Sequence, residues 1–174
     1  MAIDVGERLP EGTLLRMSEA NPKAEPEAVA TGPLFAGRRV VLFGMPGAFT
    51  GGCSSAHLPS FMRTKAALDA SGVDAVIGLT GNDPWVLRAW GDQSGATDAG
   101  ILLLGDPWGD WIEALGMTLT VPQIGLIRCS HRFSALVEDG VVRSWNEEPG
   151  PDDFGATGGE AMLAFLRGGP PSPA

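Results

Sequence analysis

Residues 40–61, with the sequence VVLFGMPGAFTGGCSSAHLPSF, limit the possible folds of this chain more than any other stretch. The four apolar residues at 40–43 predict a short buried strand, and a loop of Gly and Pro follows them. The next segment has helical periodicity, and Cys53 falls where that helix should begin. Unpaired backbone N–H groups and the positive end of the helix dipole favour a thiolate over a thiol at such a position. The stretch therefore predicts a reactive cysteine at a strand–loop–helix junction.

Length, charge and cysteine content restrict the class of protein. A chain of 174 residues fits one domain, which we assign to residues 1–174. Twelve Lys and Arg against 21 Asp and Glu give a net charge of −9, with no basic run, which argues against nucleic-acid or anionic-membrane partners. No apolar stretch is long enough for a signal peptide or a membrane span, so we expect a cytoplasmic location. In the cytoplasm, two cysteines are more often catalytic or inert than joined in a structural disulfide.

After the opening stretch, the pattern alternates between helix and strand. The first helix runs to Ser71-Gly72, and Pro59 predicts a kink because it removes one backbone hydrogen bond. A second helix is predicted to begin after an N-cap at Asp83 and to end at Gly91. The other predicted elements are strands at residues 73–79 and 101–104 and a short helix at residues 108–115. Such alternation indicates parallel strand pairing.

The C-terminal part has a different character. Two β-rich runs, residues 124–127 and 133–137, flank a predicted turn at residues 128–132, and Asp139-Gly140 is a strong signal for a two-residue hairpin. A loop at 149–159, a helix at 160–167 and a disordered tail at 168–174 complete the prediction. Residues 1–37 are expected to be loops with one short strand at 13–17. The predicted fold class is α/β and thioredoxin-like, with a mixed central sheet flanked by helices, a C-terminal β-hairpin and a terminal helix.

Two residues before Cys53 are suited to support its chemistry. A thiolate that attacks an oxygen electrophile needs a shielded pocket wall and a hydrogen-bonding group near the reacting atoms. Pro46 can provide the first and the Thr50 hydroxyl the second. A cation from elsewhere should stabilise the thiolate and the departing oxygen. The competing interpretation of Cys53 is a small buried hydrophobic residue, which is common for a free cysteine.

Several segments resemble one known family, the peroxiredoxins. The segment from Pro46 to Cys53 resembles their PxxxTxxC active-site motif, and the longer PGAFTxxCSxxHLPxF resembles the subfamily of mammalian peroxiredoxin five and the plant type-II enzymes. Residues 5–10, 81–90 and 132–140 resemble three further segments of that subfamily. The resemblance covers roughly residues 3–167.

This resemblance implies a thiol-dependent peroxidase that reduces hydrogen peroxide and alkyl hydroperoxides. Cys53 would be the peroxidatic cysteine and would become a sulfenic acid. Thr50 would hydrogen-bond the thiolate and the peroxide, Pro46 would screen the pocket from water, and Arg132 would hold the thiolate and polarise the peroxide. No cofactor is implied, since sulfur carries the redox chemistry.

The second half of the catalytic cycle departs from the family pattern. Family members place a resolving cysteine near positions 155–158 or near residues 78–79, and this chain has none at either place. Cys129 is the only other thiol, in the predicted turn before Arg132. We therefore expect a one-cysteine mechanism in which glutathione with glutaredoxin, or thioredoxin, reduces the sulfenic acid. The resemblance further suggests a homodimer that packs near the active-site loops.

Two alternatives remain open at this stage. Cys53, His57, Cys129 and His131 would form a Cys₂His₂ set, although neither half has the tight spacing of structural zinc sites. A non-enzymatic thiol sensor or chaperone would use the same kind of exposed, acidic cysteine. We assign His57 to packing and hydrogen bonding, and Arg128 to a charge on the turn.

Overall fold

A computed structural model describes residues 3–18, 25–148 and 153–169. Its strands are β1 Thr13–Arg16, β2 Glu27–Ala30, β3 Arg39–Gly44, β4 Ala75–Thr80, β5 Ile101–Gly105, β6 Thr118–Val121, β7 Leu126–Ser130, β8 Phe133–Glu138 and β9 Val141–Glu147. Its α-helices are α1 Thr31–Phe35, α2 Leu58–Ala70, α3 Pro84–Ser94, α4 Asp110–Ala114 and α5 Gly159–Leu166. A π-helical turn at Cys53–His57 leads into α2, and a 3₁₀ turn at Pro122–Ile124 joins β6 to β7.

Seven strands form one mixed sheet in the order β2-β1-β5-β4-β3-β8-β9, and β6 and β7 form a separate hairpin. The neighbours β3, β4 and β5 are parallel, whereas every other pairing in the large sheet is antiparallel. The interior strand β3 is buried from Val40 onward, as expected for a strand covered on both faces. The thioredoxin-like fold with a mixed central sheet is therefore confirmed.

Hydrophobic clusters cover both faces of the sheet. On one face, the packed residues come from α2, α3 and α5 and include Phe61, Trp90 and Met162, and Cys53 belongs to this cluster. On the other face, Phe35 of α1 and Trp111 of α4 pack against alternate residues of the same strands. This alternation sends Val41 and Phe43 to the side of Cys53, and Val40 and Leu42 to the other side.

The predicted end of the second helix at Gly91 is wrong. Helix α3 continues to Ser94 and ends at Gly95, which has the left-handed φ of 80° that a helix C-terminus favours. Gly91 has a packing role instead, because a Cβ atom at that position would lie 2.6 Å from the Thr97 hydroxyl. The N-cap prediction is confirmed, since Asp83 Oδ1 accepts a hydrogen bond from the Val86 amide at 3.0 Å.

The predicted turn at residues 128–132 is also wrong. Strand β7 runs through Arg128 and Cys129 to Ser130, and it pairs with β6, a strand that the sequence analysis missed. Arg128 has a φ of 50° and forms exposed ion pairs with Asp110 and Glu113, so it is a strand residue rather than a turn charge. The pairing with β6 stabilises a segment whose own apolar pattern is weak.

The N-terminal and C-terminal parts of the chain agree with the sequence predictions in some elements and differ in others. The sequence analysis predicted the short strand β1 but assigned β2 and α1 to loops, because both are only four or five residues long. The predicted hairpin at Asp139-Gly140 is present, with φ values of 50° and 75°. Of the predicted tail, Gly168 and Gly169 still bond to the last turn of α5, and the rest lies outside the described residues. Within the described ranges, no helix is long and apolar enough to cross a bilayer.

Candidate active site

Cys53 lies in the first residues of the helical segment that follows β3, as its position in the sequence predicts. It is only 1% exposed. The carbonyl of Cys53 accepts the amide of Leu58, five residues on, which is the hydrogen bond that defines a π-helical turn. Pro59 follows in the first turn of α2, directly after this π-helical turn, and the kink expected there stays a prediction. Turns of this kind are frequent at functional sites.

Arg132 brings the cation to Cys53 from a distant part of the chain. It immediately precedes β8, whose first residue pairs with Gly44 at the end of β3. A side chain at position 44 would collide with the Phe133 ring, so glycine permits this close approach. The Arg132 side chain is buried, and its Nη1 atom lies 3.7 Å from Cys53 Sγ. The guanidinium is thus placed where it can stabilise a negative sulfur atom.

His57 completes this cluster as a neutral ring. Burial, and then the positive charge of Arg132, lower the pKa of His57 from 6.5 to about 3. Its Nδ1 atom lies 3.0 Å from Arg132 Nη1, and its Nε2 atom lies 3.0 Å from the carbonyl oxygen of Thr157. Because a guanidinium can only donate and a carbonyl can only accept, the ring carries its hydrogen on Nε2. His57 therefore orients Arg132, in agreement with the packing and hydrogen-bonding role that we expected.

The loop before Cys53 is fixed by Asn82, a residue whose role the sequence analysis missed. Asn82 Oδ1 accepts hydrogen bonds from the Ala48 amide at 2.8 Å and from the Thr80 hydroxyl at 3.1 Å. The Thr50 hydroxyl donates to the Gly47 carbonyl at 2.8 Å. The signal for Asn82 was available, since a polar residue directly after a buried parallel strand is suited to hold a neighbouring loop.

Pro46 and Phe49 are the other notable residues of this loop. Pro46 is half-buried two residues after the end of β3, and its role as a screen against water stays a prediction. Phe49 has a φ of 61°, which is unusual for a bulky residue, and its side chain is half exposed. Backbone strain of this kind is often found at functional sites.

A C-terminal loop covers Arg132 from the other side. The centroid of the Phe154 ring lies 4.3 Å from Arg132 Cζ. The amide and the hydroxyl of Thr157 both donate to Glu148 Oε1 at 2.8 Å, and the amide of Gly159 donates to Ser60 Oγ at 2.9 Å. The sequence analysis assigned this segment to a loop and missed Phe154, although a single aromatic residue in a polar loop was a usable signal.

Cys129 lies outside the hydrogen-bonded cluster of Cys53, His57 and Arg132. It lies on β7, where its Sγ donates to the Ile127 carbonyl at 3.6 Å, and both cysteines are free thiols. Burial, and to a smaller extent the negative charge of Cys53, raise the pKa of the Cys129 thiol, so it is a weaker nucleophile at neutral pH. Within residues 3–18, 25–148 and 153–169, no three His, Cys, Asp or Glu side chains are grouped as metal ligands would be, and the zinc alternative gains no support.

Comparison with known proteins places this site in a family. The Redoxin family matches residues 4–161. The chain is 42% identical to the chloroplastic peroxiredoxin-2E-2 of Oryza sativa subsp. japonica over 166 residues, which cover 94% of this chain and 72% of that protein. It is also 42% identical to the mitochondrial peroxiredoxin-2F of the same organism over 130 residues, which cover 75% of this chain and 65% of that relative, slightly less than two thirds.

Solved structures agree with this assignment. Reduced Prx3 from Vibrio vulnificus in complex with H₂O₂ is 35% identical, with a TM-score of 0.86 and coverage of 94% of this chain and 99% of that chain. Peroxiredoxin 5 from Alvinella pompejana is 25% identical, with a TM-score of 0.81 and coverage of 95% and 98%. The fold and the buried cysteine thus define a redoxin. Within that class, the chain belongs to the peroxiredoxins, which are thiol-dependent peroxidases, and to their type-II and peroxiredoxin-five kind.

Proposed function

We propose that this protein reduces hydrogen peroxide and small alkyl hydroperoxides at Cys53 by a one-cysteine mechanism. The observation that carries the proposal is the contact of 3.7 Å between Cys53 Sγ and the buried Arg132 guanidinium, which is itself held by a neutral His57. A cation in a water-poor site stabilises charge more strongly than it would in water. The related Prx3 of Vibrio vulnificus, whose structure holds H₂O₂, supports the choice of substrate.

In the first step, the Cys53 thiolate attacks the terminal oxygen of the peroxide. An S–O bond forms and the O–O bond breaks, so that sulfur is oxidised to a sulfenic acid and the leaving alkoxide or hydroxide takes up a proton. Arg132 stabilises the negative charge as it moves from sulfur to the leaving oxygen. The Thr50 hydroxyl donates its hydrogen to Gly47, which leaves its lone pairs free to accept the peroxide O–H group.

In the second step, an external thiol attacks the Cys53 sulfenic acid, releases water and leaves a mixed disulfide. A second thiol then releases the Cys53 thiolate and carries away the disulfide. The position of Cys129 within a β-ladder, where its thiol donates to the Ile127 carbonyl, supports an external thiol over internal resolution. Glutathione with glutaredoxin, or thioredoxin, is the reductant class that we propose.

The decisive experiment compares wild type, Cys53→Ser and Cys129→Ser with both reducing systems. We expect many turnovers of peroxide per subunit for wild type and Cys129→Ser, and none for Cys53→Ser. Mass spectrometry of the oxidised wild type in the presence of glutathione should find the mixed disulfide on Cys53.

Other outcomes would change the proposal in specific ways. Activity in Cys53→Ser would exclude Cys53 as the nucleophile. Loss of turnover in Cys129→Ser with every reductant would exclude the one-cysteine mechanism. A single turnover per subunit in the wild type would identify a sensor rather than an enzyme.

We also propose that the protein is a homodimer that packs through an apolar surface beside the active-site loop. Large apolar side chains are exposed where the parallel strands β3, β4 and β5 end and on the β6–β7 hairpin, namely Phe49, Trp85, Trp108, Ile124 and Ile127. Exposed apolar residues grouped in this way mark interaction surfaces. A second copy of the chain is the partner that the family resemblance suggests.

The dimer can be tested by light scattering coupled to size-exclusion chromatography. Ile124→Glu should convert the dimer to a monomer, because it places a charge in the core of the apolar surface. Val5→Glu is the matched control, since Val5 is 60% exposed and lies outside this surface. A wild-type protein that is a monomer at all concentrations would contradict the proposal.

A cytoplasmic location is our remaining proposal. Two free thiols fit a reducing compartment, although the plant relatives are named for chloroplasts and mitochondria. Fractionation of the cells that produce this protein would test it, and recovery of the protein in an organelle or in the medium would contradict it.

A further inference from the structure

Arg132 is an unusual buried cation because few acceptors surround it. It is 7% exposed, and its Nη1 atom is used by His57 and by Cys53. Among residues 3–18, 25–148 and 153–169, no carboxylate forms an ion pair with it, and its Nε atom finds no hydrogen-bond partner. A charge taken out of water in this way needs compensation from its surroundings. His57 supplies a single acceptor, which fixes only one end of the guanidinium.

Phe154 provides the missing compensation. The ring lies 4.3 Å from Arg132 Cζ, within the range of a cation–π contact, and such contacts strengthen when water is excluded. The ring also lies over one side of the guanidinium and shields that side from water. Phe154 therefore contacts the cation directly.

The chain makes room for this ring at the residue that precedes Cys53. A Cβ atom on Gly52 would lie 2.5 Å from Phe154 Cζ and 2.9 Å from Cε1, which real side chains do not tolerate. Glycine at position 52 thus allows the ring to approach the first turn of the helical segment. The loop that carries Phe154 is held by Thr157, through its bonds to His57 and Glu148.

We propose that Phe154 is a positioning residue for Arg132: its ring holds the guanidinium against Cys53 and keeps water from it. This inference deepens the proposed function and rests on it, since it assigns a source for the reactivity of Cys53. If Phe154 is removed, the guanidinium gains freedom and solvent, so it stabilises both the thiolate and the leaving oxygen less well. Attack of an external thiol on the sulfenic acid releases water and not the Cys53 thiolate, so this single step depends less on that stabilisation.

Three substitutions test this role in the full-length protein. Phe154→Leu removes the aromatic face but keeps an apolar side chain, and Phe154→Tyr keeps the face. Gly52→Ala displaces the ring without changing it, and its Cβ atom would also lie 3.4 Å from Arg132 Nη2. Phe165→Leu is the matched control, because Phe165 on α5 packs against the same hydrophobic cluster and has no contact with Arg132 among those measured. Thermal unfolding of each variant separates effects on the site from effects on folding.

Two rates are measured at neutral pH. The first is the second-order rate of Cys53 oxidation by hydrogen peroxide in rapid mixing, and the second is alkylation of Cys53 by iodoacetamide, followed by mass spectrometry. For Phe154→Leu we expect both rates to fall about ten-fold, in line with the loss of one desolvated cation–π contact. Gly52→Ala should behave similarly, whereas Phe154→Tyr and Phe165→Leu should stay within about two-fold of wild type. The rate at which glutathione forms the mixed disulfide with the sulfenic acid should be unchanged, because that step does not release the Cys53 thiolate.

The proposal is overturned if Phe154→Leu and Gly52→Ala react at the wild-type rate, or if Phe165→Leu lowers the rates equally. If Phe154→Leu does not fold, Gly52→Ala is compared with Phe154→Tyr instead. Equal rates in these two variants would overturn the proposal. The alkylation rate does not depend on peroxidase activity. A wild-type protein without peroxide turnover would therefore refute the proposed function, while the alkylation series would still test the role of Phe154.

Discussion

The neutral state of His57 leads to a specific pH dependence of stability. In the unfolded chain, the imidazole takes up a proton below its ordinary pKa of 6.5, whereas in the folded protein the pKa is about 3. Between these two values the unfolded state binds more protons than the folded state, so stability is lost as the pH falls. Each pH unit within this window is worth about 1.4 kcal/mol, which amounts to about 2 kcal/mol between neutral pH and pH 5.

The substitution His57→Gln isolates this effect. Glutamine offers one acceptor for Arg132 and one donor for the Thr157 carbonyl, but it does not titrate. At neutral pH we expect the variant to be less stable than wild type, because the ring also packs between Phe43 and Phe61. At pH 5 the difference between the two proteins should shrink by about 2 kcal/mol, since only the wild type carries the linkage of His57.

Urea unfolding at several pH values, at one protein concentration, measures this difference. His131→Gln is the matched control, since His131 is the other histidine of the chain and is exposed. Its unfolding free energy should follow that of wild type at every pH. If the stability difference between wild type and His57→Gln stays constant from neutral pH to pH 5, then His57 is not a buried neutral acceptor and our assignment of its hydrogen bonds is wrong.

Three further predictions concern the residues around Cys53. Arg132→Lys keeps the charge but loses the guanidinium, and the second-order rate with peroxide in rapid mixing should fall about a hundred-fold. An unchanged rate would mean that a positive charge alone is sufficient for the reaction with peroxide. Thr50→Val should lower the same rate by about ten-fold or more with little change in thermal stability, whereas Thr50→Ser keeps the hydroxyl and should retain most of the activity. Equal losses of rate in both variants would mean that Thr50 acts through packing and not through its hydroxyl. Asn82→Ala leaves the Ala48 amide unpaired, and its unfolding free energy in urea should fall by about 1–3 kcal/mol; a wild-type midpoint would show that the loop does not depend on Asn82.

Local signals in the sequence were sufficient for the features that depend on neighbouring residues. The apolar run at residues 40–43 marked β3, Asp83-Pro84 marked the start of α3, and Asp139-Gly140 marked the hairpin between β8 and β9. Each of these signals acts within about one helical turn or one tight turn of the backbone. For that reason the position of Cys53 at the start of a helical segment was also predictable.

The errors arose where the pattern of a single segment was not sufficient. Helix α3 passes Gly91 and ends at Gly95, while Gly91 packs against the Thr97 hydroxyl. The run predicted at residues 124–127 includes only the first two residues of β7, and pairing with β6 accompanies its extension to Ser130. The propensity of a single segment has no information on either contact.

The sequence by itself determined the proposed nucleophile and its immediate setting: a strand, a loop with Pro46 and Thr50, and Cys53 at the start of a helical segment. Together with the motif resemblance, it also identified Arg132 as the cation. Only the tertiary structure decided how that cation is held. Arg132 is 79 residues from Cys53, and His57 is 100 residues from the carbonyl that fixes its ring. Sheet pairing and the C-terminal loop bring these residues together. Burial then makes His57 neutral, because the charged form of a group is disfavoured once water is removed.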